Sequence, residues 1–254
     1  MNNRIIAIGD IHGHFNQLQE LMDKLIHEHG VSLHDDTFVF LGDYIDGGPD
    51  TKKVIDWLFT AKNGYPHWKF LYGNHEDLFL DAINPKHPVY GDYYLWWNQG
   101  GKETTDSYIR ASKFSKYERA LVNPVHVIPK EHIEFLYNLP TYYETDRYFF
   151  VHGGPHSYHT LEWCKKEKNW PRYNWIWARN FITSNFKWEK KIIFGHTIQY
   201  TKNPRTHLQP YIMDNKIGLD TFMHNQGALT AVILPEETIV QTKYYSRFEI
   251  EDTI

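Results

Sequence analysis

Short β-branched and aromatic runs recur along this chain, and each ends abruptly in glycine beside a carboxylate, amide or imidazole. Arg4 to Ile8 leads into GDIHG at Gly9 to Gly13, and Thr37 to Leu41 leads into GDYID at Gly42 to Asp46. Lys69 to Tyr72 leads into GNHE at Gly73 to Glu76. Such runs read as buried strands that end in functional loops. Between the first two, Leu18, Leu21, Met22, Leu25 and Ile26 recur at helical spacing, with Gly30 as a stop. After the second, Val54, Ile55, Leu58 and Phe59 mark another helical face, and a third helix is expected from Asp77. Strands alternating with helices predict βαβ crossovers and a largely parallel sheet, whose loops gather beyond the strand C-termini where ligands bind.

The pattern changes over 84–139. Trp96, Trp97, Gly100 and Gly101 stand among helix-like pieces, with Pro85, Pro88, Pro124 and Pro129, and this stretch reads as a mostly helical insertion or cap. Tyr142 to Thr145 and Tyr148 to Val151, separated by Asp146 and Arg147, form an expected hairpin leading into VHGG at Val151 to Gly154. Lys191 to Phe194 reads as a further core strand ending in FGHT at Phe194 to Thr197. Ala228 to Leu234 and Thr238 to Tyr245 predict a second sheet in the tail. With 254 residues, 41% of them hydrophobic, the chain can bury a substantial core, and it is read as one α/β domain over 1–254.

Five clusters placed after five strands point to a metal centre. Cys164 is the only cysteine, which excludes both a disulfide framework and a thiolate cage. Any metal must therefore be held by oxygen and imidazole donors, a set that suits Mn, Fe or Zn, whereas Mg and Ca favour oxygen alone. A net charge of -4 argues against nucleic acid as a partner, and Lys187, Lys190 and Lys191 read as a solvated patch. The apolar run after Met1 is too short for a secretory signal, and no stretch approaches the roughly 20 residues of a membrane span. The expected setting is cytoplasmic. Trp96, Trp97, Trp170, Tyr173, Trp175 and Trp177 are read mainly as packing residues, with a groove lining as the alternative.

In their order and spacing the five clusters resemble the calcineurin-like metallophosphoesterases, specifically the bacterial and phage members of the phosphoprotein (serine/threonine) phosphatase family. Two more segments carry the resemblance: WWNQGGKETTDSY at Trp96 to Tyr108, with Gln99 inserted between Asn98 and Gly100, and GLDT at Gly218 to Thr221. The fold it implies is a β-sandwich flanked by helices. It also implies two divalent cations, Mn first with Fe or Zn as substitutes, and a phosphoprotein or small phosphate ester as substrate. Asp10 and His12 would ligate the first metal, Asp43 would bridge, and Asn74, His152 and His196 would complete the second site. Two cations about 3.5 to 4 Å apart would deprotonate a shared water for direct attack on a phosphate monoester, with no phosphoenzyme. By the same resemblance His75 protonates the leaving alkoxide, Asp46 orients the His75 ring, and Arg179 in WIWAR binds the phosphate.

One position departs from the family pattern. Gly47 stands where G-D-x-x-D-R-G supplies a second phosphate-binding arginine, so that guanidinium clamp is missing. A weakened clamp penalises dianionic monoesters more than diesters. The alternatives are accordingly a phosphodiesterase or a dinucleoside polyphosphate hydrolase, and, in a different class, a non-catalytic module that binds phosphorylated ligands.

Overall fold

The computed structural model describes residues 4–83, 90–112, 127–198, 209–221, 223–224 and 227–243. Pro85, Pro88, Pro124, Tyr244 and Tyr245 lie outside them. The opening units form as the periodicity requires: β1 (Ile5–Ile8), α1 (Phe15–His27), β2 (Thr37–Phe40), α2 (Thr51–Gly64), β3 (Lys69–Phe70) and α3 (Asn74–Ala82). β1 pairs with β2 and β2 with β3, both in parallel, with Ile5 opposite Thr37 and Val39 opposite Lys69. GNHE is not a loop followed by a helix, as the sequence suggested. Gly73 is the N-cap and Asn74, His75 and Glu76 are the first turn, because the Glu76 carboxylate accepts the Gly73 amide at 3.0 Å and starts the helix early.

The tail corrects a second expectation. β9 (Thr230–Leu234) and β10 (Thr238–Gln241) join the first sheet, giving the order β10-β9-β1-β2-β3. All five residues of β9 are buried, so it needs a central place, and it pairs antiparallel with the edge of β1 left open by β2. The second sheet is built upstream from β4 (Tyr142–Glu144), β5 (Tyr148–Val151), β6 (Lys191–Phe194), β7 (Tyr211–Met213) and β8 (Lys216–Gly218), in the order β4-β5-β6-β8-β7. Both sheets are mixed. In each, three parallel strands adjoin antiparallel ones.

Alternation along the strands assigns each residue to a layer. Ala7, Val39 and Leu41 meet Phe150, Ile193 and Ile217 between the two sheets. Ile6, Ile8, Phe38 and Phe40 turn the other way, onto α1, α2 and the described helices of the insertion: α4 (Tyr90–Trp96), α5 (Lys102–Ala111) and α6 (Lys130–Tyr137). Phe149, Val151, Ile192 and Phe194 pack outward against α7 (Leu161–Cys164), α8 (Arg172–Trp177) and a short 3-10 turn at Asn180–Thr183. The result is a helix–sheet–sheet–helix sandwich in which each large apolar side chain contributes roughly 1.5–3 kcal/mol by burial. The helical reading of the insertion holds for its described residues. The surface reading of the basic patch holds only in part, since Lys190 pairs with Glu144 and Lys191 with Glu237.

Candidate metal centre

The parallel strands of both sheets end at one edge, and every ligand named from the sequence lies there. Asp10 and His12 follow β1, Asp43 and Asp46 follow β2, and Asn74 and His75 open α3 below β3. His152 and His196 follow β5 and β6 of the other sheet. The His152 ring spans the two sheets, its Nδ1 2.9 Å from the Leu41 carbonyl. With Nδ1 on that carbonyl, Nε2 turns toward Asn74 Oδ1 at 2.9 Å and Asp43 Oδ2 at 3.2 Å. Three electron-rich atoms in mutual contact repel unless a proton or a cation sits among them.

The first proposed site shows the same pattern. His12 Nδ1 lies 3.0 Å from the Ile45 carbonyl, and its Nε2 faces Asp43 Oδ2 at 3.7 Å. Asp10 accepts the His196 amide through Oδ2 at 2.9 Å. Its Oδ1, like His196 Nε2, is buried with no protein hydrogen-bond partner. Asp10, His12 and Asp43, and likewise Asp43, His152 and His196, bring their donor atoms within 4.8 Å of one another. Buried polar atoms are normally satisfied, so orphaned and converging donor atoms fit a pair of divalent cations sharing Asp43.

Electrostatics agree with the geometry. Burial raises the Asp10 carboxyl well above its usual range, and the charges of Asp220 and Asp43 add to this. Burial holds His12 and His196 well below the ordinary imidazole value, leaving both rings neutral and able to coordinate. Burial also opposes charge on Asp43, but the neighbouring His152 and His75 hold its carboxyl well below normal. His12, Asp43, Asp46 and His196 all adopt left-handed backbone, with φ of 47°, 51°, 71° and 62°. That conformation costs about 1–3 kcal/mol at each non-glycine position and persists where function fixes it.

His75 and Asp46 form the pair expected of them. His75 Nδ1 lies 2.9 Å from Asp46 Oδ2, and its amide donates to Asp43 Oδ1 at 2.9 Å. Burial lowers the His75 pKa, but the charge of Asp43 and the Asp46 bond outweigh this and push it up to about 9. Asp46 is itself clamped from the insertion: Trp96 Nε1 donates to both carboxylate oxygens at 3.1 Å, and the Thr104 hydroxyl donates to Oδ1 at 2.8 Å. Trp96 therefore holds the hydrogen-bond partner of His75 as well as packing. Arg179 reaches the rim, donating through Nη1 to the His196 carbonyl at 2.8 Å, and lines the same 210 Å³ pocket as the proposed ligands.

Four residues here received no role from the sequence. Asp220, after β8, lines the pocket, and the strand-end signal in GLDT could have marked it. Glu76 accepts the amides of Asp43, Tyr44 and Gly73 at 2.8–3.0 Å, and its place three residues past Gly73 is a capping signal. His224 gave no signal, and Gln99 only that of an insertion. The His224 ring stands 4.8 Å from that of His12 and 5.3 Å from that of His75, with Nε2 3.0 Å from the Gln99 carbonyl. The inserted Gln99 falls in a π-type turn, Trp97–Gly101, whose Gly100 carbonyl accepts the Gly47 amide at 3.3 Å. The sequence marked a missing arginine at Gly47; the structure sets His224 against that position, where a Cβ would meet its carbonyl oxygen and ring.

Comparison with known proteins gives the same result. Residues 3–220 match the calcineurin-like phosphoesterase family. An asymmetrical bis(5'-nucleosyl)-tetraphosphatase, PrpE, of Geobacillus thermodenitrificans is 27% identical over 252 residues, covering 93% of this chain and 92% of its own. Serine/threonine-protein phosphatase PP1-delta of Caenorhabditis elegans is 42% identical over 90 residues, 35% of this chain. This chain spans about a quarter of the length of that protein, 26%, and of a yeast zinc-dependent endopolyphosphatase that also matches, 24%. A solved structure of a candidate diadenosine tetraphosphatase superposes with a TM-score of 0.57 at 20% identity, covering 97% of this chain and 96% of its own. With its sandwich, its strand-end clusters and a family match over most of its length, this chain belongs to the calcineurin-like phosphoesterases.

Proposed function

We propose that this chain hydrolyses phosphate monoesters at a centre of two divalent cations, with Asp10 and His12 on one, Asn74, His152 and His196 on the other, and Asp43 shared. The observation that carries this reading is the convergence of His152 Nε2 on Asn74 Oδ1 and Asp43 Oδ2 at 2.9 and 3.2 Å, together with the orphaned Asp10 Oδ1 and His196 Nε2. Bound cations would supply Lewis acidity toward phosphoryl oxygens and make water acidic enough to attack at neutral pH. His75 holds a proton opposite the Asp46 bond and delivers it to the departing oxygen. Asp46 keeps that ring in register, fixed in turn by Trp96 and Thr104. Arg179 offers a guanidinium to the phosphate from the rim.

The mixed oxygen and nitrogen donor set favours Mn, with Fe or Zn as substitutes. The buried free thiol of Cys164 fits a reducing, cytoplasmic setting. Among the described residues no helix is long and apolar enough to cross a membrane. The single-domain reading over 1–254 is supported by the bonds that tie the insertion to Asp46. Phosphoserine and phosphothreonine in proteins are the first substrates to try. A dinucleoside polyphosphate is the second, favoured because the bacterial tetraphosphatase matches along nine-tenths of both chains whereas the PP1-delta match covers a third of this one.

The experiment is a metal-analysed preparation assayed with added Mn on p-nitrophenyl phosphate, its bis-ester, a phosphoserine peptide and diadenosine tetraphosphate. Monoester turnover that disappears on chelation and returns with Mn supports the reading. Metal-loaded protein inert on all four substrates overturns it, leaving a binding module.

A further inference from the structure

A groove of about 830 Å³ lies beside the metal centre, larger than the 210 Å³ pocket that the proposed ligands line. The two share one residue, Arg179, whose guanidinium is tied to the His196 carbonyl at 2.8 Å. The groove wall nearest the metals is aromatic. Trp177 sets its ring edge-to-face with that of His196, centroids 5.7 Å apart, and Tyr173 stacks on Trp177 at 5.7 Å and 26°. Tyr173 remains 59% exposed and Tyr158, which also lines the groove, 71% exposed, so flat apolar surface faces solvent at both. Asn174 and Asn180 line the same space and add amide donors and acceptors.

This is an unusual wall for a protein surface. Tyrosine rings gathered around one concavity beside a polar site offer stacking surface, and concave sites of this volume suit small molecules. A planar heteroaromatic ring would stack on Tyr173 while its edge met an asparagine amide. A phosphate attached to it would pass Arg179 on the way to the metals. We propose that the groove bounded by Tyr158, Tyr173, Trp177, Asn174 and Asn180 is a nucleoside subsite, and that the substrates served by this centre are nucleoside polyphosphates whose base stacks on Tyr173. This rests on the reading of the metal centre as a phosphoesterase and selects, of the two substrate classes named for it, the second, whose phosphoanhydride bond takes the place of the monoester bond.

Two measurements on the metal-loaded protein test the subsite, one of them independent of turnover. The first titrates AMP while following tryptophan fluorescence, to which Trp170 and Trp177 contribute from the groove lining. Saturable quenching is expected, with affinity weakened about tenfold in Tyr173→Ala and restored in Tyr173→Phe, since a stacked base contributes on that scale. The second compares kcat/KM for a nucleoside triphosphate with that for inorganic tripolyphosphate. The ratio should exceed about ten in wild type and fall toward one in Tyr173→Ala, through KM rather than kcat.

Quenching by AMP without turnover of any phosphate ester would retain the subsite and overturn the phosphoesterase reading. Turnover of p-nitrophenyl phosphate with no AMP quenching and a ratio near one in wild type would retain the phosphoesterase and overturn the subsite. Selective loss of phosphopeptide turnover in Tyr173→Ala would also overturn it, in favour of a peptide in the groove.

Discussion

Gly47 and His224 exclude one another from the same space. Gly47 has φ of +87°, and a Cβ built on it would lie 2.7 Å from the His224 carbonyl oxygen and 3.0 Å from ring atom Cδ2. Restoring the family arginine at this position is therefore a strained substitution rather than a simple repair. Gly47→Arg must accept a left-handed backbone and displace His224, whose ring adjoins His12 and His75. The variant should lose about 2 kcal/mol or more and melt roughly 5 °C lower. Monoester activity should fall, and Gly47→Arg/His224→Ala should regain only the part of the stability lost to overlap with the ring, keeping the φ strain and the close contact with the residue 224 carbonyl. A Gly47→Arg protein as stable as wild type with raised monoester turnover would show that the loop yields, and the missing-clamp reading would stand.

Asp43 is the carboxylate both proposed sites use, since it faces His12 at 3.7 Å and His152 at 3.2 Å. Elemental analysis of the purified protein should find about two transition-metal ions per chain. Asp43→Asn should lose both, whereas Asn74→Ala should lose chiefly the second. An active preparation holding one ion or none ends the two-metal proposal.

His75 is expected to act as an acid, and the sign of its pH dependence follows from its partners. Its pKa is raised to about 9, so the proton is present below that value and lost above it. Cations beside Asp43 would offset the carboxylate charge that contributes to the rise, so the basic limb of kcat should fall below pH 9. His75→Asn should reduce turnover of alkyl phosphates by about 10²- to 10⁴-fold and abolish that limb. Metal content should stay near wild type, and p-nitrophenyl phosphate, whose leaving group departs unaided, should suffer less. Equal losses on both substrates would assign His75 a structural role.

Glu76 receives the amides of Asp43, Tyr44 and Gly73 from within the core. Glu76→Ala leaves three buried N–H groups without an acceptor and should cost about 3 kcal/mol in chemical denaturation. Because Asp43 loses its anchor, metal affinity should drop about 10- to 100-fold. Glu76→Gln keeps one acceptor oxygen and should fall between. Unchanged metal affinity in Glu76→Ala would confine Glu76 to stability.

The sequence by itself determined the layers and which polar residues stand at the strand ends. Alternation in runs such as Lys191–Phe194 assigns faces, helical spacing in Leu18 to Leu25 assigns a buried stripe, and glycine after a strand marks where the chain can turn with a polar side chain exposed to a ligand. These are local properties, set by backbone geometry within a few residues. What it could not decide depended on partners far along the chain. Whether β9 begins a new sheet or completes the first depends on the open edge of β1, more than 200 positions away and paired through Ile5 opposite Leu234. That Trp96 and Thr104 hold Asp46 depends on how the insertion folds back over β2. The role of Gly47 depended on His224, because a missing side chain says only that space exists. Which neighbour fills that space is a matter of close packing between segments that share no local pattern.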